Sequence, residues 1–235
     1  MRSPGPVLQP AIRLCLVPVG AADALALASR NGMPLMIFPL GRVVTLLAFV
    51  GLAFAAAAAE PAIHEFALGN PKAKVTVIEY ASLTCPHCAH FQATDFKQIK
   101  KNYIDTGKIR FLMRDFPLDG LAMAGAVVAR CVAPDKGQKL AELLFENQES
   151  WASAQKPIEP LHELGKLAGI SEADFDACLK NKPLVAALQE EQKQAAVKFK
   201  IDATPAFFIG DQDFQGNPGY DEMAAAIDRE LKKAK

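Results

Sequence analysis

The chain carries no net charge: 26 Lys and Arg are matched by 26 Asp and Glu. Its basic residues are scattered, so the electrostatic footprint of a nucleic-acid binder is missing. The basic end Lys232-Lys233-Ala234-Lys235 reads as a solvated helix terminus that complements the helix dipole. There is no internal repeat, and no low-complexity tract beyond the alanines at 55–59, which argues against repeat architectures. No apolar run clearly reaches membrane-spanning length. The nearest candidate, residues 43–59, is marginally short and weakly apolar at its alanine-rich end. Histidine and cysteine are sparse, at four and five residues. A zinc site would need a second ligand pair at matching spacing. Cys131 and Cys178 stand far apart, and His87 and His90 would have to serve from one short turn, so no metal site is expected.

What the chain does have is Cys85-Pro86-His87-Cys88. Residues 75–80 before it are rich in β-branched side chains and read as a buried strand. The residues after it read as a helix, with Pro86 in the first turn, where a missing N–H does no harm. Two cysteines with this spacing at a strand-to-helix junction form a redox signature. Unpaired N–H groups and positive partial charge at the helix start favour the thiolate of Cys85. His87 can add a donor or a positive charge. A stabilised thiolate is a good leaving group, so a Cys85–Cys88 disulfide is readily attacked by another thiol. Cys88, deeper in the helix, is the candidate resolving thiol. A purely structural bridge between the two is disfavoured, because so short a loop removes little unfolded-state entropy.

Arg42, the apolar run 43–54 and the alanines 55–59 resemble a signal peptide, with cleavage expected near Ala59. Residues 1–32 do not fit such a leader, and Met33 or Met36 would start one of ordinary length, about 33–59. The alternative is an uncleaved membrane anchor. Residues 1–59 hold four of the basic and one of the acidic residues, so the remainder is acidic by three charges. Export implies an oxidising compartment. Cys15 leaves with the leader, and the four remaining cysteines allow three pairings. If Cys85 pairs with Cys88, Cys131 and Cys178 are left to each other. That bridge would close a loop of about 47 residues and contribute roughly 4 kcal/mol at most. The competing reading is two free buried cysteines.

The remainder is long enough for one domain with a good core. The pattern predicts a strand at 75–80, a helix at 86–102 and a parallel second strand at 109–116. This βαβ unit puts the cysteine motif at the carboxyl end of its first strand, where α/β sheets place their sites. Helical spacing then runs through 120–132, 136–147, 159–168, 172–181 and 183–199. Ser171-Glu172-Ala173-Asp174 reads as a capping box. A strand at 206–209, a turn at 211–213, an antiparallel strand at 214–216 and a helix at 221–233 close the chain. The fold class is α/β: a thioredoxin-like core, residues 60–119 and 200–235, split by a helical insertion at 120–199.

Thr204-Pro205 directly precedes the strand at 206. Proline opening a strand is ordinary; beside a thioredoxin-like cysteine motif, a cis bond is the sharper expectation. In such a core this loop faces the cysteine turn, and the Thr204 backbone would be offered to an extended peptide as an added strand. Glu79 lies in the strand that leads into the cysteine turn. Buried, it would have a raised pKa and could relay the Cys88 proton; the alternative is a solvent-facing side chain. Arg110 and Arg114 on the next strand are its candidate counter-charges.

With these pieces together, the chain resembles the DsbA family of bacterial periplasmic thiol–disulfide oxidoreductases. The matching segments are Val77-Ile78-Glu79-Tyr80-Ala81-Ser82, Cys85-Pro86-His87-Cys88, Phe116-Pro117, residues 165–179 with Cys178, and Thr204-Pro205-Ala206-Phe207-Phe208. The resemblance implies a thioredoxin fold with a helical insertion, no organic cofactor and reduced exported proteins as substrates. It further implies Cys85 as nucleophile, Cys88 as resolving thiol, His87 as thiolate stabiliser, Glu79 beneath the disulfide and Pro205 as the cis proline. Recycling would fall to a membrane quinone-coupled oxidase of the DsbB type. The family's best-known oxidases carry an aliphatic residue where this chain has Thr204, whereas a threonine there is similar to the disulfide isomerases. Isomerases usually carry a separate dimerisation domain. The roughly fifteen residues between the expected cleavage site and Val75 leave no room for one, so a monomer is expected. The alternative functions are a disulfide isomerase or reductase, and an accessory protein whose reduced Cys85 and Cys88 hold copper(I) or protect other thiols.

Overall fold

The structure is a computed structural model and describes residues 63–234. The expected leader and its cleavage site lie outside these residues. A five-stranded sheet in the order β1-β3-β2-β4-β5 forms the centre. Its strands are β1 (Phe66–Gly69), β2 (Val75–Ala81), β3 (Ile109–Asp115), β4 (Ala206–Ile209) and β5 (Gln212–Gln215). β2 and β3 pair in parallel, and the other pairs are antiparallel. Alternation places Val75, Val77 and Glu79 of β2 on one face with Phe111, Phe207 and Ile209. That face is buried with Phe91, Ile99, Met223 and Ile227 in the main core.

The helix predicted at 86–102 is interrupted. α1 (Pro86–Ala93) stops at Thr94, whose φ of −119° and ψ of −86° are not helical. α2 (Asp95–Ile99) then continues into a π-helical turn, Lys100–Ile104. Thr94 Oγ1 donates to the His90 carbonyl at 2.7 Å, the local bond by which threonine competes with the helix ladder. The break lets Phe96 pack on both Phe91 and Phe111.

Six helices separate β3 from β4: α3 (Gly120–Cys131), α4 (Pro134–Glu146), α5 (Gln148–Ala152), α6 (Ile158–Leu167), α7 (Glu172–Leu179) and α8 (Lys182–Phe199). A last helix, α9 (Tyr220–Lys233), closes the chain. The starts follow capping chemistry. Asp119 accepts the Ala122 N–H at 2.7 Å, Ser171 that of Asp174 at 3.1 Å, and Asn181 that of Leu184 at 3.1 Å. The box at Ser171 is half formed, because the Asp174 carboxylate takes the Ser171 hydroxyl. α3 and α4 approach closely at Gly137, where a Cβ would stand 1.9 Å from the Ala129 carbonyl oxygen. Cys131, ending α3, is disulfide-bonded to Cys178 of α7. Among the described residues no helix is long and apolar enough to cross a membrane.

Two elements carry no periodicity that the sequence makes legible: the edge strand β1 and the short α5. The last hairpin is also shifted. Its turn is Gly210-Asp211, with Gly210 at φ +62°, so Ile209 pairs directly with Gln212 and β5 starts two residues earlier than expected.

Candidate active site

The strand β2 delivers the chain to a turn, Ser82-Leu83-Thr84, closed by the Cys85 N–H donating to the Ser82 carbonyl at 3.1 Å. Cys85 is the residue before α1, in extended conformation (φ −78°, ψ 119°), and Pro86 occupies the first helical turn. The first helical bond runs from the Ala89 N–H to the Cys85 carbonyl at 3.1 Å. Both sulfurs are free thiols here, Cys85 5% exposed and Cys88 fully buried. The Thr204–Pro205 bond is cis. The Cys85 thiol donates to the Thr204 carbonyl at 3.2 Å, which brings the loop before β4 against the motif.

The two thiols are strongly polarised. Cys85 is lowered to about 5, first because the Cys88 thiol donates to its anion. Burial opposes this. The Thr204 hydroxyl and the backbone N–H groups of Cys88 and His87 add to the lowering. Those two amides are the open donors of the helix start. Cys88 is pushed far up by the same hydrogen bond, by burial and by the charges of Glu79 and Cys85. The pair therefore holds one anion and one proton across the neutral range.

His87 is exposed, and the group it turns toward Cys85 is its backbone N–H rather than its imidazole. Thr204 is buried, and among the described residues its hydroxyl has no partner while Cys85 is a thiol. The Cys85 anion supplies the acceptor.

Glu79 is fully buried on the same sheet face as the motif. Burial raises its carboxyl to about 8, partly offset by a hydrogen bond from Gln92 Nε2 to Oε2 at 2.9 Å. Oε1 has no partner. The expected counter-charge is absent. Arg110 and Arg114 pair with Glu65 at 3.2 and 2.9 Å, and Arg114 also donates to the Tyr80 hydroxyl at 3.1 Å. The register explains this: Glu79 stands opposite Met113 and Tyr80 opposite Arg114, so the arginines point to the other face. Gln92, the true partner, lies four residues after Cys88 on the same side of α1, a spacing visible in the sequence. It is half-buried and lines the groove formed by Ala89, Phe96, Glu142 and Phe145.

A second glutamine, Gln148 of α5, has no signature in the sequence. It donates to the carbonyls of Leu83 and Cys85 at 2.8 and 3.0 Å. Thr84 is held in turn by the Asp119 carboxylate at 2.7 Å. Among the described residues no group of three His, Cys, Asp or Glu side chains is arranged to hold a metal.

Comparison with known proteins agrees with this geometry. A thioredoxin family model matches residues 62–229. A protein of Rickettsia conorii that carries the name protein-disulfide oxidoreductase is 35% identical over 173 residues, 73% of this chain and 62% of the relative. The chain thus spans somewhat less than two thirds of that relative's length. Disulfide bond formation protein D of Bacillus subtilis is 30% identical over 172 residues, 70% of this chain and 76% of its own. The crystal structure of Wolbachia pipientis alpha-DsbA1 superposes with a TM-score of 0.67 at 29% identity, covering 74% of this chain and 94% of that one. On sequence, fold and cysteine geometry together, the chain belongs to the thioredoxin-like DsbA family of disulfide oxidoreductases.

Proposed function

We propose that the chain is a thiol–disulfide oxidoreductase that donates a Cys85–Cys88 disulfide to reduced exported proteins. The observation that carries this reading is the split between the two thiols: Cys85 ionises near pH 5 while Cys88 is held protonated. A substrate thiolate attacks Cys85 Sγ, and the Cys85–Cys88 bond breaks with its electron pair going to Cys88. Cys88 takes a proton for which neutral Glu79, raised to about 8, is the nearby source. Gln92 holds that carboxyl through Oε2, and solvent returns the proton to Glu79. A second substrate thiolate then attacks the substrate sulfur of the mixed disulfide and expels Cys85 as a stabilised thiolate. The substrate loses two electrons and two protons, and the Cys85–Cys88 pair gains the electrons. The Thr204-Pro205 loop beside Cys85 is placed to receive the substrate backbone as an added strand.

In this reading the thioredoxin-like core performs the exchange, the helical insertion frames it, and a membrane quinone-coupled partner of the DsbB type restores the disulfide. The leader at 33–59 would place the exchange in the periplasm. Thr204 favours a second reading, isomerisation, because its hydroxyl stabilises the departing Cys85 anion and eases release from mixed disulfides. Refolding a reduced disulfide-requiring substrate with the oxidised protein, beside a scrambled substrate with the reduced protein, separates the two. The proposal expects faster oxidation of the first, loss of it in Cys85→Ser, and trapped mixed disulfides in Cys88→Ser. Oxidation no faster than in buffer, with no adducts, overturns it.

A further inference from the structure

We propose that Gln148 is a positioning residue that sets the acidity of Cys85 from across the fold; this rests on the exchange function proposed above. Gln148 is 9% exposed and opens α5, 63 residues beyond Cys85 in sequence. Both acceptors it faces are carbonyls, so the group between them is the amide nitrogen, whose two hydrogens are both used. Among the described residues, the Leu83 carbonyl has no other donor. The Cys85 carbonyl otherwise receives only the first helical N–H, from Ala89.

The importance of the second bond is geometric. The direction of the Cys85 carbonyl and the direction in which Pro86, His87 and Cys88 leave Cys85 are governed by one torsion, ψ of Cys85. Holding the carbonyl therefore holds the His87 and Cys88 N–H groups in place around the Cys85 sulfur, and these are groups that favour its anion. The bond to Leu83 fixes the approach to the turn in the same way. The clamp is itself rigidly mounted. Trp151, one turn further along α5, is fully buried and donates from Nε1 to the Leu144 carbonyl at 2.8 Å. Leu83, 2% exposed, packs against Gly125 of α3, so both the side chain and the carbonyl of this residue are gripped by the helical insertion. Preorganised donors stabilise a charge without reorganising when it forms.

The test is the thiolate absorbance of the reduced protein against pH, with the reduction potential against glutathione, for wild type, Gln148→Met, Gln148→Glu and Ser171→Ala. Methionine keeps the length and removes both N–H donors. The expected result is a Cys85 midpoint at least half a pH unit higher. The reduction equilibrium should shift at least threefold toward the disulfide, about 15 mV more reducing. Gln148→Glu should shift less than Gln148→Met, because burial and the two facing carbonyls keep its carboxyl protonated and so leave one donor in place. Ser171→Ala removes a remote helix cap; it should lower stability and leave midpoint and potential unchanged. A folded Gln148→Met with wild-type midpoint and potential overturns the proposal. If both variants fail to fold, the wild-type side-chain amide of Gln148 decides by NMR. Its hydrogens should exchange more slowly than those of surface glutamines, and its resonances should move as Cys85 titrates. Fast exchange with unmoved resonances overturns the proposal as surely. A wild type whose Cys85 titrates as a free cysteine would instead refute the exchange function itself.

Discussion

Replacing Glu79 with glutamine should change how stability depends on pH, and the sign follows from burial. The carboxyl ordinarily titrates near 4.5 and is raised to about 8 in the fold. Between these values the folded chain holds a proton that the unfolded chain has released, so stability falls as pH rises through the window. One such proton weakens the fold by about 1.4 kcal/mol for every pH unit crossed, which gives a loss of about 3 kcal/mol between pH 5 and pH 8 from this group alone. Glutamine has nothing to ionise. Its carbonyl can still accept from Gln92, and its amide replaces an Oε1 that has no partner now. The variant should match wild type within about 1 kcal/mol at pH 5 and exceed it by roughly 3 kcal/mol at pH 8.

Urea unfolding of the reduced proteins at pH 5, 6, 7 and 8 measures this. Cys85 works in the opposite direction, because its lowered value stabilises the folded form as pH rises above about 5. Wild type alone would therefore show a deceptively flat profile, and the difference between variant and wild type is the quantity to plot. Difference values that stay level within about 0.5 kcal/mol across the range would show that Glu79 titrates as an ordinary carboxyl. The relay role would fall with it.

Three further outcomes follow from the same geometry. Cys88→Ala should raise the Cys85 midpoint in a thiolate titration, because the Cys88 thiol is the largest single contribution to its lowering; an unmoved midpoint would assign the lowering to the helix start alone. Removing the Cys131–Cys178 bridge as a double alanine variant should cost roughly 4 kcal/mol, from opening a loop of 47 residues, and leave that midpoint in place. Calorimetry showing a loss below about 1 kcal/mol would contradict it. Gly137→Ala forces a Cβ into the Ala129 carbonyl and should cost roughly 2–3 kcal/mol in denaturant unfolding; a neutral substitution would mean that α3 and α4 separate freely.

Where the sequence succeeds and fails follows one physical division. Cys85, Cys88, Pro86 and β2 are readable because spacing and side-chain type act within a few residues. Six helices and the cap at Ser171 are readable for the same reason. β1 is not: four residues carry no usable period, and the strand is secured by pairing with β3 and by the Arg130 guanidinium over Phe66. The break at Thr94 is hidden because aromatic packing across α1, α2 and β3 rewards it, whereas the local pattern runs on. Arg110 and Arg114 mislead because a parallel register cannot be read from either strand alone, and one residue of register decides which face a charge occupies. The sulfurs, Glu79 and the Thr204-Pro205 loop can thus be found from sequence, whereas Gln148 and the register that excludes the arginines cannot. Thr204 reaches Cys85 from 119 residues away and Gln148 from 63. Substitutions that alter the poise of this site without touching the cysteine motif should therefore include ones in that distant loop and short helix, beside those at Glu79, and periodicity alone does not point to them.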